Sequence, residues 1–207
     1  AAEVIAARAK ELGSPAYKVL QNEAKVLGNN KDGIDFSLED GYYGDAVFHI
    51  PFIAWYQVMN ASLALTTMEV LKNQIPVAMD KLQGGIKNTR WQGRMETVLP
   101  GVIVDGAHNE DGVSRFVETA ERFQEEYPLT LLFSAVNDKD YQDMSHTICS
   151  RIRFRKVVTT EVGGYREVPS AQLAEIFRKE GCKDVGNSDN IEEAFHMAHQ
   201  AKGEDGM

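Results

Sequence analysis

Apolar residues fall along this chain in two different arrangements, and the change between them organises the reading. Over residues 53–71, Ala54, Val58, Ala61, Leu65, Met68 and Leu71 recur three or four apart, a stripe that predicts one long helix. Ahead of it lie four short candidate strands, at 16–20, 24–27, 34–38 and 44–50. The turns Gly28-Asn29-Asn30 and Glu39-Asp40-Gly41 separate the later ones. At the start, Val4, Ile5, Ala7, Ala9 and Leu12 mark a helix that Gly13 ends.

Beyond residue 93 short apolar runs at 102–104, 129–136 and 156–162 alternate with amphipathic stretches near 111–126, 138–153, 169–179 and 190–201. That alternation predicts an α/β domain with a doubly wound, Rossmann-like, mainly parallel sheet, whose ligands bind at the carboxyl ends of the strands. Gly84-Gly85 and the polar residues 87–90 break the patterning, so the expected division is a first region over 1–84, a linker over 85–92 and a second domain over 93–207. The first region is α/β as well.

Composition narrows the function classes. With 43% apolar and 26% charged residues in 207, and no run of about eighteen apolar residues, the chain reads as a soluble globular protein with no membrane partner. No secretory signal is visible, so a cytoplasmic setting is the expectation. A net charge of −9 disfavours a nucleic-acid partner, which needs concentrated Lys and Arg. Cys149 and Cys182 have no metal or redox spacing and are expected to be buried reduced thiols.

Candidate chemistry gathers at the strand ends. Asp105-Gly-Ala-His108-Asn109 follows the run 102–104 and precedes a helix marked by Val113, Phe116, Val117 and Ala120. Gly106 and Ala107 leave room for a ligand beside the backbone, Asp105 offers two acceptors suited to ribose hydroxyls, and His108 can stack or donate. The plainer reading is a helix cap at Asn109 or Asp111, with Asp105 satisfying loop amides. Arg94, in Trp91-Gln-Gly-Arg94, can clamp a phosphate or stand as a solvated surface cation. Trp91 is expected to pack the linker against a domain. Asn60 carries an amide that either matches the edge of an adenine or faces solvent. Asp138 is expected to cap the helix after the run 129–136, and Arg166 lies in a Gly163-Gly164 loop at the same edge. His196 and His199 read as solvated helix residues. No Gly-x-x-x-x-Gly-Lys-Ser/Thr, Gly-x-Gly-x-x-Gly or Gly-x-Ser-x-Gly motif is present.

In order, Gln57-x-x-Asn60-Ala, Trp91-x-Gly-Arg94, Asp105-Gly-Ala-His108-Asn109 and Asp138-Lys-Asp140 resemble the second half of folylpolyglutamate synthases, members of the Mur ligase superfamily. The resemblance runs through nearly the whole chain. It implies the end of a central ligase domain followed by the C-terminal domain of an ATP-dependent ligase, which adds L-glutamate to the γ-carboxylate of a reduced folylpolyglutamate through an acyl phosphate, with Mg²⁺. It also implies that Asn60 approaches adenine, Arg94 the phosphates and Asp105 the ribose, with His108 near the nucleotide and the incoming glutamate as the candidate catalytic or positioning residue. No metal ligand is assigned in this chain. The family's phosphate loop, most Mg²⁺ ligands and modified lysine belong to an N-terminal half absent from this sequence, as is a final strand with a Gly-Ser-Leu-Tyr segment. The chain alone is therefore expected to be inactive, with that missing half as its partner. Tyr56 and Glu110 depart from the family's usual His and Pro. Two other readings are a peptidoglycan Mur ligase, against which Gly163-Gly-Tyr-Arg166-Glu stands, and a nucleotide-binding module without catalysis.

Overall fold

The computed structural model describes residues 2–20, 23–30, 33–39 and 42–207. They form two compact units: residues up to Pro51 together with Trp55–Arg90, and Phe52–Ala54 together with Trp91–Met207.

The first unit begins with α1 (Ala2–Glu11), whose apolar stripe stays in solvent, with Val4 and Ile5 both exposed. Strands β1 (Ala24–Asn30), β2 (Gly33–Leu38) and β3 (Phe48–Ile50) form an antiparallel sheet in that order. The expected strand at 16–20 has no regular structure. Residues 28–30, expected as a turn, continue β1 after a register shift between Val26 and Gly28, and the hairpin closes on the pair Asn30 and Gly33. The other expected turn, 39–41, lies largely outside the described residues. Ile34, Phe36, Phe48 and Ile50 are buried, and so are Val58, Ala61 and Leu65 of α2 (Tyr56–Val70), which packs on the sheet as its apolar spacing requires. Tyr43 sets its ring edge-on to Phe48, and its hydroxyl donates to the Leu65 carbonyl at 2.7 Å. Helix α3 (Met79–Lys87) runs straight through Gly84-Gly85. Those glycines therefore do not open a linker at 85, because the helix ends only where Asn88 follows Lys87.

The second unit corrects one topological expectation. Strand β5 (Val102–Val104) does not start the parallel sheet; it pairs antiparallel with β4 (Glu96–Leu99). Pro100-Gly101 supplies a tight turn between two short apolar runs, and a local hairpin forms there. The parallel sheet is β6 (Leu129–Phe133), β7 (Phe154–Thr159) and β8 (Val185–Asn187), in that order. Alternation along the strands sends Leu129, Leu131, Phe133 and Val157 into one core with residues of α4 (Glu110–Gln124), α5 (Tyr141–Arg151) and α6 (Ser170–Lys179). Leu132 and Val158 meet Ala194, Met197 and Ala198 of α7 (Ile191–Lys202) in a second cluster. Helices thus cover both faces, the doubly wound arrangement read from the sequence. Phe177 of α6 is fully buried, edge-on to Phe133 at 5.1 Å between ring centres.

At the chain's end, Met207 donates from its amide to the Pro128 carbonyl at 3.0 Å and accepts from the Thr130 amide at 2.7 Å. Asp205, two residues earlier, is held by both terminal nitrogens of Arg155, at 2.9 and 2.7 Å. Those bonds hold its carboxyl below the usual carboxylate range.

Candidate functional site

Two segments flagged in the sequence, residues 91–94 and 105–109, come together at the edge of the β4–β5 ribbon. The Gly106 amide donates to the Gly93 carbonyl at 2.7 Å, so the two loops touch backbone to backbone. A side chain at position 106 would bring a Cβ to 3.3 Å from that carbonyl and 3.5 Å from Nη1 of Arg94. The carbonyl contact is tighter than an ordinary one and would have to give by a few tenths of an ångström, whereas the Arg94 contact is ordinary. The guanidinium of Arg94 lies over the Gly106 backbone. It has no hydrogen-bond or ion-pair partner among the described residues, which distinguishes it from Arg115, Arg151, Arg155, Arg166 and Arg178.

Asp105 is the tie between the loops. Its Oδ2 accepts from the Met95 amide at 2.9 Å and its Oδ1 from the Ala107 amide at 2.8 Å. Met95, buried and held at a φ of 48°, is the one described non-glycine residue in the left-handed region, and the Asp105 bond helps keep it there. Asp105 thus serves the plainer of the roles its position suggests, the satisfaction of loop amides. A carboxylate oxygen can accept from more than one donor, so this role does not exclude a ribose hydroxyl. Glu96 adds a bond that the sequence did not flag, accepting from the Gly93 amide at 2.8 Å. Its position, three residues after a glycine in a turn, was the available signal.

His108 is exposed, with Nδ1 bonded to the Gly106 carbonyl at 2.8 Å. Because a carbonyl can only accept, Nδ1 is the donor in that bond, and Nε2 has no hydrogen bond among the described residues. Asn109 caps α4, its Oδ1 accepting from the Gly112 amide at 2.8 Å. The first turn of α4 carries Glu110 and Asp111, which makes that helix end unattractive to a phosphate despite its dipole.

Elsewhere the outcome differs from expectation. Asp138 does not cap α5; Asp140 does, accepting from the Asp143 amide at 3.2 Å. Asp138 instead pairs with Arg166 at 2.9 Å, linking the loops after β6 and β7. Trp91 is 67% exposed and packs nothing down. Asn60 is exposed on α2 in the first unit, its amide donating to Oε1 of Gln57 at 2.8 Å. A cavity of about 370 Å³ in the second unit is lined mainly by apolar residues of β5, β6, α4 and α7, with Asp105 and Ala107 in its wall. Arg94 and His108 are not in that wall, so this apolar space is separate from the cationic chemistry. Among the described residues no group of three or more His, Cys, Asp or Glu is arranged to hold a metal ion, and no helix is long and apolar enough to cross a membrane.

Residues 93–207 match the family described as Mur ligase, glutamate ligase domain. Over 146 residues the chain is 32% identical to a dihydrofolate synthase/folylpolyglutamate synthase of Bacillus subtilis (strain 168), covering 67% of this chain and 33% of that protein. The structure of a folylpolyglutamate synthase of Mycobacterium tuberculosis, complexed with ADP and AMPPCP, superposes with a TM-score of 0.77 at 25% identity, covering 96% of this chain and 45% of the other. A bifunctional folylpolyglutamate synthase/dihydrofolate synthase of Yersinia pestis, complexed with AMPPNP and a Mn ion, shares the fold with a TM-score of 0.68 at 19% identity, covering 96% of this chain and 44% of the other. The match thus spans a third to a little under half the length of these three proteins.

Proposed function

The chain belongs to the Mur ligase family, and from that premise we propose that it forms the nucleotide-positioning part of an ATP-dependent ligase that adds L-glutamate to the γ-carboxylate of a reduced folylpolyglutamate. The observation that carries this reading is the contact between Gly93-Arg94 and Asp105-Gly106. It presents a guanidinium without a partner among the described residues, a bare stretch of backbone and a carboxylate within one small patch. A planar cation suits phosphate oxygens, and a carboxylate suits ribose hydroxyls.

A carboxylate is a poor electrophile until one of its oxygens becomes a leaving group. Phosphorylation by ATP supplies that, the amino group of glutamate attacks the acyl phosphate, and phosphate departs from the tetrahedral intermediate. In this scheme Arg94 balances the phosphate charge and Asp105 orients the ribose while keeping Met95 and Ala107 in place. His108 offers its ring to the nucleotide or the incoming amine, while a role for Asn60, on the first unit, at the adenine edge rests on the family resemblance alone. A divalent ion, Mg²⁺ in the proposed reaction, supplies charge neutralisation when bound with the nucleotide. The residues described here do not build its site.

The sequence has no Gly-x-x-x-x-Gly-Lys-Ser/Thr phosphate loop, and among the described residues no group of three or more His, Cys, Asp or Glu is arranged to hold a metal ion. The purified chain is therefore expected to bind ADP or ATP weakly and to incorporate no glutamate into a folate acceptor in the presence of ATP and Mg²⁺. Calorimetric titration with ADP tests the first part, using Arg94→Ala as the control. Absence of any heat attributable to Arg94, or turnover by the chain alone, would overturn the assignment. We place the working protein in the cytoplasm, where ATP and reduced folates meet it.

A further inference from the structure

We propose that Cys149 and Cys182 form a site of reversible thiol oxidation, at which a low-molecular-weight disulfide converts the pair into an intramolecular bond between α5 and the turn that ends α6. The two residues, unrelated by any sequence spacing, are brought together by the α5–β7–α6 crossover, and their Sγ atoms lie 3.5 Å apart. Both are free thiols. A disulfide measures about 2.05 Å, so closure needs roughly 1.5 Å of movement, within reach of side-chain rotation and a small shift of one backbone segment.

The backbone able to make that shift is the Cys182 turn. The Gly181 amide donates to the Arg178 carbonyl at 3.1 Å and the Cys182 amide to the Phe177 carbonyl at 3.0 Å, a Schellman ending for α6. Gly181 at a φ of 92° permits this turn, which brings Cys182 back onto α5. The ordinary role of a residue at this position is an apolar contact with the last turn of its helix, and Cys182 packs against the core cluster accordingly. A contact alone does not require sulfur on both sides, with one thiol half-exposed.

The pair is asymmetric, and the asymmetry orders the chemistry. Cys149 is buried on the inner face of α5, and burial, the Cys182 thiol and the Glu180 carboxylate all push its thiol up, against a smaller opposing effect from Arg153. Cys182 is partly exposed and reacts first. Its thiolate attacks one sulfur of the disulfide RSSR, forms a mixed disulfide and releases one RS⁻, which takes up a proton. Cys149 then gives its proton to solvent, attacks Sγ of Cys182 and expels the second RS⁻. Two protein thiols and one RSSR become one protein disulfide and two RSH.

Oxidation closes a loop containing β7 and α6 and fixes α5 against α6. The test uses the whole 207-residue chain equilibrated in glutathione buffers of increasing oxidised fraction, quenched with acid, alkylated and read by intact mass and peptide mapping. The expected product lacks two hydrogens and links the Cys149 and Cys182 peptides. Its melting temperature is higher by roughly 5–10 °C and returns on reduction with dithiothreitol. Cys149→Ala is expected to accumulate a single glutathionyl group on Cys182, while Cys182→Ala stays unmodified when folded. Wild type that remains alkylatable at both cysteines, or that retains a stable glutathionyl group on Cys182, would overturn the proposal. An adduct on Cys149 in folded Cys182→Ala would overturn the order of attack.

Discussion

Replacing Asp105 with Ala removes both acceptors that tie residues 93–96 to residues 105–107. The Met95 and Ala107 amides lose bonds of 2.9 and 2.8 Å to a charged oxygen. Hydrogen bonds to a charged group contribute about 1.5–3 kcal/mol each. The patch is half-buried, so water recovers part of that for Ala107, whereas the Met95 amide belongs to a buried residue at a left-handed φ. The expected loss is about 2–4 kcal/mol in the second unit, a fall of roughly 1–2 M in its urea midpoint. Asp105→Asn keeps one acceptor but turns an N–H towards an amide donor, and should lose about half as much. Urea unfolding followed by far-ultraviolet circular dichroism, with ADP titration of each variant, separates the roles. If Asp105→Ala unfolds at the wild-type midpoint yet no longer binds ADP, the carboxylate serves the ligand alone, and the account of it as the tie between the loops fails.

Arg94→Ala should leave the urea midpoint unchanged, because the guanidinium has no partner among the described residues, and should weaken ADP binding about tenfold to a hundredfold by calorimetry. Gly106→Ala should weaken ADP binding with little loss of stability. Its Cβ, 3.3 Å from the Gly93 carbonyl, presses the two loops apart by a few tenths of an ångström and fills the bare backbone beside the Arg94 guanidinium; unchanged affinity would show that the close approach is not used. Phe177→Ala should cost about 3–5 kcal/mol in thermal or urea unfolding, as expected for a fully buried aromatic side chain. Asp205, with its carboxyl lowered by Arg155, favours the folded tail above the ordinary carboxylate range and loses that preference as pH falls through its lowered value. The protection of the amides of residues 203–207, relative to their intrinsic exchange rates at each pH, should fall as pH drops below the ordinary carboxylate range, and do so less in Asp205→Asn.

What could be read beforehand was what depends on near neighbours in sequence. Val58, Ala61, Leu65 and Met68 of the expected stripe sit on α2, which starts after Ala54 and is capped by Leu71, and Val113, Val117 and Ala120 mark the buried face of α4, because a helix repeats over a few residues. Strand β8 escaped notice because Val185 is its one strongly apolar residue, and a sheet already built by β7 supplies the rest of its stability. The partner of β5 was misread because an apolar triplet pairs equally well with a near or a distant strand, and Pro100-Gly101 decided in favour of the near one. Glycines at 84 and 85 look like a break, yet helix α3 tolerates both. At the site, the order of Gly93, Arg94, Asp105 and Gly106 was visible, whereas their contact was not, since it depends on the ribbon folding residue 93 onto residue 106. The nearness of Cys149 and Cys182 was hidden for the same reason: only the crossover brings them together.

The order of the parallel sheet sets which parts of it open first. Among the described strands β7 is flanked on both sides, whereas β6 and β8 each have a neighbour on one side only, and on β6 the amide of Thr130 is bonded to Met207 instead. Solvent deuterium should therefore enter β6 before β7, with the Val157 and Val158 amides among the last to exchange in the second unit. Removing Met207 should quicken exchange at Thr130 while leaving Val158 unchanged. The bond between Met207 and Thr130 thus shields an edge that the strand pairing alone leaves open.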